Sequence, residues 1–86
     1  MQTTFKKGAS KARTAADLEI DEEAVLAVID LPPDLSGRLM ELGFLPGHPV
    51  KAVGSAPGGD PRVYRVEGTE IALRRETARH LILESE

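Results

Sequence analysis

The chain has 86 residues, a formal charge of −3, 41% hydrophobic and 3% aromatic residues, and no cysteine. That length holds one small domain with a modest core and leaves little room for a deep catalytic cleft. The missing cysteines exclude a disulfide framework, a thiolate metal site and a thiol nucleophile.

Charge is unevenly placed. Residues 1–13 carry Lys6, Lys7, Lys11 and Arg13 and no acid, whereas residues 14–86 carry seven bases and 14 acids. The reading is a basic, disordered tail over 1–13 and a domain over 14–86. The acidic body repels phosphate, and Phe5, Phe44 and Tyr64 are too few for a base-stacking platform, so no nucleic-acid partner is expected. No run approaches the roughly 20 apolar residues that cross a bilayer. The start, "MQTTFKKGASKAR", has no apolar signal core, which makes the cytoplasm the expected location.

In chain order, "TAADLEID" (14–21) reads as a short helical turn with Thr14 as N-cap and Asp17 completing a capping-box pattern. Leu18 and Ile20 are its expected anchors. "AVLAVI" (24–29) has the length and Val/Ile content of a buried strand. Pro32 and Pro33 then open a helix over about 34–42, with Leu35, Leu39 and Leu42 as its apolar stripe. Gly37 inside that helix marks an expected point of close packing. Gly43 falls where a left-handed residue closes a helix, and a Schellman ending there would bring Phe44 against Leu39. "LPGH" (45–48) has the proline and glycine of a type II turn, and Pro49 pushes His48 to extended backbone, starting a strand over 48–55.

"APGGDP" (56–61) reads as a loop whose Asp60 satisfies nearby backbone donors. "RVYRVEGTEIALRR" (62–75) reads as a hairpin reversing at Gly68, with Ile71 and Leu73 inward. "RRETARH" (74–80) is a helical turn and "LILE" (81–84) a closing strand. The expected fold is mainly β: a small SH3-like barrel of about five strands, with one helix between strands 1 and 2 and short helical turns.

Chemistry-bearing clusters are sparse. His48 and His80 lack metal-ligand spacing, so no tight Fe²⁺ site, no metal ligands and no cofactor are expected. Asp21, Glu22 and Glu23 lack the spacing of a calcium loop and read as a solvated strand entry. "PGGDP" lacks the lysine and strand-to-helix context of a P-loop. Ser10, Ser36, Ser55 and Ser85 stand in no nucleophile-elbow context. No catalytic residues are assigned, and the chain is not expected to be an enzyme.

"RLMELGFLPGHPVKAV", then "GDP", then "VEGTEIALRRETARHLIL" resembles the FeoA family of bacterial ferrous iron uptake. Leu42, Gly43, Pro46, Gly47, Gly59, Asp60, Pro61, Ala72, Leu73, Arg74 and Ala78 match that family's pattern, and the resemblance spans about residues 14–84. Two features depart from it: "EIDEE" stands where a Pro-Gly-type turn usually precedes the first strand, and the basic tail is extra. The resemblance implies a non-enzymatic accessory module that binds the cytoplasmic GTP-binding part of the FeoB-type transporter and reaches the membrane only through that partner. The sequence leaves weak transition-metal binding and the oligomeric state open, with a monomer as the default. The alternative is a detached SH3-like regulator domain similar to the C-terminal domain of iron-dependent repressors, metal- or nucleic-acid-linked. The acidic body and the low ligand count disfavour it. As partner-binding residues, Met40, Phe44, Leu45, Arg75 and Arg79 are the candidates, since interfaces favour apolar and arginine anchors. Arg74 is expected to bond internally, and Tyr64 to face the core or a partner.

Overall fold

The computed structural model describes residues 13–85. Five short strands and one helix are laid out as the sequence predicts: β1 Glu23–Ile29, α1 Pro33–Leu42, β2 Pro49–Ser55, β3 Arg62–Val66, β4 Thr69–Leu73, the short α2 Arg75–Ala78, and β5 Leu81–Leu83. The strands form one antiparallel ladder in the order β4-β3-β2-β1-β5. Register shifts between Leu26 and Val28 and between Ala52 and Gly54 bend the ladder, as an extra residue in one strand does.

Before β1, a 3-10 turn covers Ala15–Asp17. The Asp17 carboxylate accepts from the Thr14 N–H at 2.8 Å and from its hydroxyl at 3.2 Å. Arg13 and Thr14 then lie along β5, with Leu83 N–H donating to the Arg13 carbonyl at 2.9 Å and Thr14 bridging to Ile82. The carbonyls of Ala15 and Ala16 face the other way and accept from β3: Tyr64 Oη donates to Ala15 at 2.9 Å and Arg62 Nη1 to Ala16 at 2.8 Å. This segment thus ties β5 to β3, strands that the ladder keeps apart.

The core follows from the strand alternation. Leu26, Val50, Tyr64, Val66 and Leu81 point inward and are fully buried, joined by Leu18 and Phe44. The Phe44 and Tyr64 rings meet edge to face, 6.5 Å apart and at 76°, the arrangement their quadrupoles favour. Ile20 departs from the expectation. It is 47% exposed, because the chain reverses at Asp21, whose φ is 74°, and turns Ile20 outward. Of the two expected anchors only Leu18 is buried, and Ala15 joins it in the core.

Candidate interaction site

The stretch after α1 is built by local rules. Gly43 has φ 115°. Its N–H donates to the Met40 carbonyl at 3.0 Å, and Phe44 N–H donates to the Leu39 carbonyl at 3.0 Å. These are the two bonds of a Schellman ending. A Cβ on Gly43 would lie 3.2 Å from Val66 Cγ2, so space as well as φ selects glycine. The next reversal is a type II turn: His48 N–H donates to the Leu45 carbonyl at 3.0 Å, and Gly47 has φ 90°. Gly47 N–H then bonds the Leu26 carbonyl and Leu26 N–H bonds the His48 carbonyl. The corner is thereby held on β1.

α1 itself is attached lightly. Leu39 is its single buried residue. The stripe expected from Leu35, Leu39 and Leu42 is therefore corrected: the helix turns so that Leu39 points in while Leu35 and Leu42 stand 42% and 43% exposed. Met40, on the other side of Leu39, is 41% exposed. Gly37 is likewise no close-packing point, since a Cβ there would meet nothing within 4 Å.

The five predicted partner residues separate. Met40 is exposed on α1 and Leu45 is half-buried at the corner beyond it. Arg75 and Arg79 are exposed at α2. Phe44 is corrected: with 0% exposure it belongs to the core, because the helix ending carries its side chain inward. Tyr64 is core for the same geometric reason, on an inward position of β3. Leu35 and Leu42 are the surface residues that sequence reasoning missed. A helical stripe reads as core unless the number of elements available to cover it is known.

Polar groups near this surface pair within the chain. His48 Nδ1 and a Glu67 carboxylate oxygen lie 2.7 Å apart, both half-exposed. Glu67 has φ 50° at the β3–β4 turn, and its Cβ would lie 3.5 Å from a Cβ on Gly43. His80 serves through its backbone, accepting from Asp30 N–H and donating to Thr77. Among the described residues no three His, Cys, Asp or Glu side chains gather as metal ligands. An open depression over β2 and β3, edged by Asp21, Lys51, Arg65 and Glu70, has charges of both signs, and Arg65 and Glu70 already pair at 2.7 Å.

The arginines sort differently from expectation. Arg62, not Arg74, is the internally bonded one. It is 7% exposed, bonds the Ala16 carbonyl, and sits with Cζ 5.9 Å from the Tyr64 ring centre. The Arg74 side chain is exposed, and its carbonyl caps the α2 turn by accepting from Thr77 and Ala78. Asp60 accepts from the Arg75 N–H at 3.1 Å, the backbone role expected of it. Glu22 is not merely solvated: Arg13 grips its carboxylate with two N–H groups at 2.8 and 2.9 Å. Arg13 thus belongs to the domain rather than to the tail, whose other residues lie outside the described part. This bond, with the Glu19 N–H, holds Glu22 down to about 2 and raises Arg13 in turn. Burial pushes the Tyr64 hydroxyl up.

A helix thus stands between the first two strands of a five-stranded sheet, closed by Gly43 and followed by a Pro-Gly corner. The FeoA domain model matches residues 13–85. The chain belongs to the FeoA family. The FeoA protein of Chlorobium tepidum superposes with a TM-score of 0.77 at 27% identity, over 83% of this chain and 68% of that one. The zinc complex of Stenotrophomonas maltophilia FeoA, described as a prokaryotic SH3 domain protein, gives 0.73 at 35% identity over 85% and 91%. A fusion of Fe²⁺ transport protein A with the Fe²⁺ transporter FeoB from Porphyromonas gingivalis is 30% identical over 69 residues. That match takes in 80% of this chain and spans 8% of the fusion protein. The SH3-like barrel expected from the strand order is therefore the fold of the family. Among the described residues no helix is long and apolar enough to cross a membrane.

Proposed function

We propose that this chain is a non-enzymatic accessory module of ferrous iron uptake that binds the cytoplasmic GTP-binding part of a FeoB-type transporter through the exposed face of α1. The observation that carries the reading is the helix itself. It sinks one leucine and leaves Leu35 and Leu42, seven residues apart on one side of the helix, more than 40% exposed, with Met40 exposed on the other side of Leu39. Large apolar side chains ringed by polar ones are what a partner's pocket covers. The fused Porphyromonas relative supports the choice of partner, because it carries both proteins in one chain. Regulation follows if one state of the transporter binds this face more tightly than another.

The test is a titration of the purified transporter's cytoplasmic part with the chain, comparing the double variant Leu35→Ser, Leu42→Ser. Both side chains are exposed, so folding is expected to change by no more than about 1 kcal/mol in all. Affinity is expected to fall at least tenfold. Undiminished binding by the folded double variant would remove α1 from the interface.

A further inference from the structure

The ladder has two end strands, and the chain treats them differently. β5 is covered by Arg13 and Thr14. β4 has no such cover among the described residues. Its turn determines which of its groups are free. Glu67 and Gly68 both have positive φ, 50° and 79°, the two-residue reversal of type I′. Val66 and Thr69 flank it as opposed residues and form a hydrogen-bonded pair, after which bonded and non-bonded pairs alternate. Tyr64 with Ile71 and Arg62 with Leu73 are then the other bonded pairs. Glu70 and Ala72 therefore turn their N–H and C=O groups away from β3, off the end of the sheet.

Exposed edges of this kind are usually protected by proline, lysine, a bulge or an inward charge. The sequence of β4, "TEIAL", has neither proline nor lysine, and it pairs with β3 in unbroken register. Its one charge, Glu70, is already paired with Arg65.

We propose that β4 is the docking edge for a second copy of this chain, added antiparallel across a two-fold axis at Ile71. In that register Glu70 of each copy faces Ala72 of the other. Two N–H and two C=O groups from each copy then make four cross-chain bonds. The facing residues are complementary. Glu70 meets a small neutral residue and never its own like, and the half-buried Ile71 meets its counterpart as a non-bonded pair, the closer-spaced kind. This edge is separate from the exposed face of α1.

Sedimentation velocity on the full chain over a concentration series tests the proposal. The mass is expected to rise from 9.3 kDa toward twice that value. Ala72→Pro removes an outward N–H, a change that edge strands tolerate. It is expected to weaken self-association at least tenfold with an unchanged circular dichroism spectrum. Ile71→Cys places one thiol in a cysteine-free chain at the two-fold, where opposed Cβ atoms lie within disulfide reach. It is expected to oxidise to a dimer while Glu41→Cys, on exposed α1, does not. A constant 9.3 kDa up to about 1 mM, the weak end of specific association, would overturn the proposal. So would equal cross-linking of the two cysteine variants. A monomeric wild-type chain whose transporter binding is lost in Ala72→Pro would also overturn it, by giving the edge to the transporter instead.

Discussion

Arg13 and Glu22 show what one exposed pair contributes at the margin of a small domain. The carboxylate is held at about 2 in the folded chain, below the roughly 4.3 of a free glutamate. A depressed acid stabilises the fold above its unfolded value and loses that contribution as pH falls through its folded value. The pair's contribution is thus full above about pH 4.5 and fades toward pH 2, and because the pair is exposed it is screened by water and salt. Urea unfolding at pH 5 and pH 3 is expected to show a smaller loss of stability in Glu22→Gln than in the wild type. Identical losses would mean that the pair adds nothing. The sequence marks the acidic run but not this partner, nine residues away. Charge composition shows that a carboxylate is available, not which cation the fold delivers to it.

At the level of elements, α1 is the least committed piece of the fold. Its Gly37 has open space where a methyl would go, and it lies inside a regular helix, where glycine costs about 1 kcal/mol against alanine. Gly37→Ala is expected to stabilise the protein by roughly 0.5–1 kcal/mol, measured by thermal or urea unfolding. A destabilised variant would show a contact that the helix forms only in motion. Boundaries of elements were well marked in the sequence, because Gly43, Pro46-Gly47 and Glu67-Gly68 act through bonds spanning three to five residues. What α1 packs against was not marked. Leu35 and Leu42 have the spacing of core residues, and only the three-dimensional count of neighbours puts them outside. Phe44 shows the same limit, since a residue that both caps a helix and could anchor a partner is decided by the direction in which the corner points.

For the whole molecule, the segment from Arg13 to Leu18 matters more than its length suggests. It supplies two fully buried side chains, Ala15 and Leu18, and the carbonyls that satisfy Tyr64 and Arg62. A buried hydroxyl or guanidinium left without its acceptor costs on the order of 1–3 kcal/mol each, and losing a buried leucine adds about 2 kcal/mol or more. Domains of this size have roughly 5 kcal/mol in all. Removal of residues 1–18 is therefore expected to abolish cooperative unfolding. The near-ultraviolet signal of Tyr64, the one tyrosine, reports it. A sharp transition in the truncated chain would show that the five strands suffice. Sequence patterning marked this segment only as a capped turn; its ties to β3 join residues 46 and 49 positions apart, beyond the reach of any local signal.

The bond between Leu83 N–H and the Arg13 carbonyl has a further consequence. It places the two ends of the domain side by side, so a polypeptide attached before Arg13 and one attached after Glu84 leave from the same spot. Such a unit can be spliced into a larger protein at a single surface loop, or tethered by either end, without the barrel being reopened. Its grip on a neighbour would then be set by the tether's length, through effective concentration, as much as by the contacts themselves.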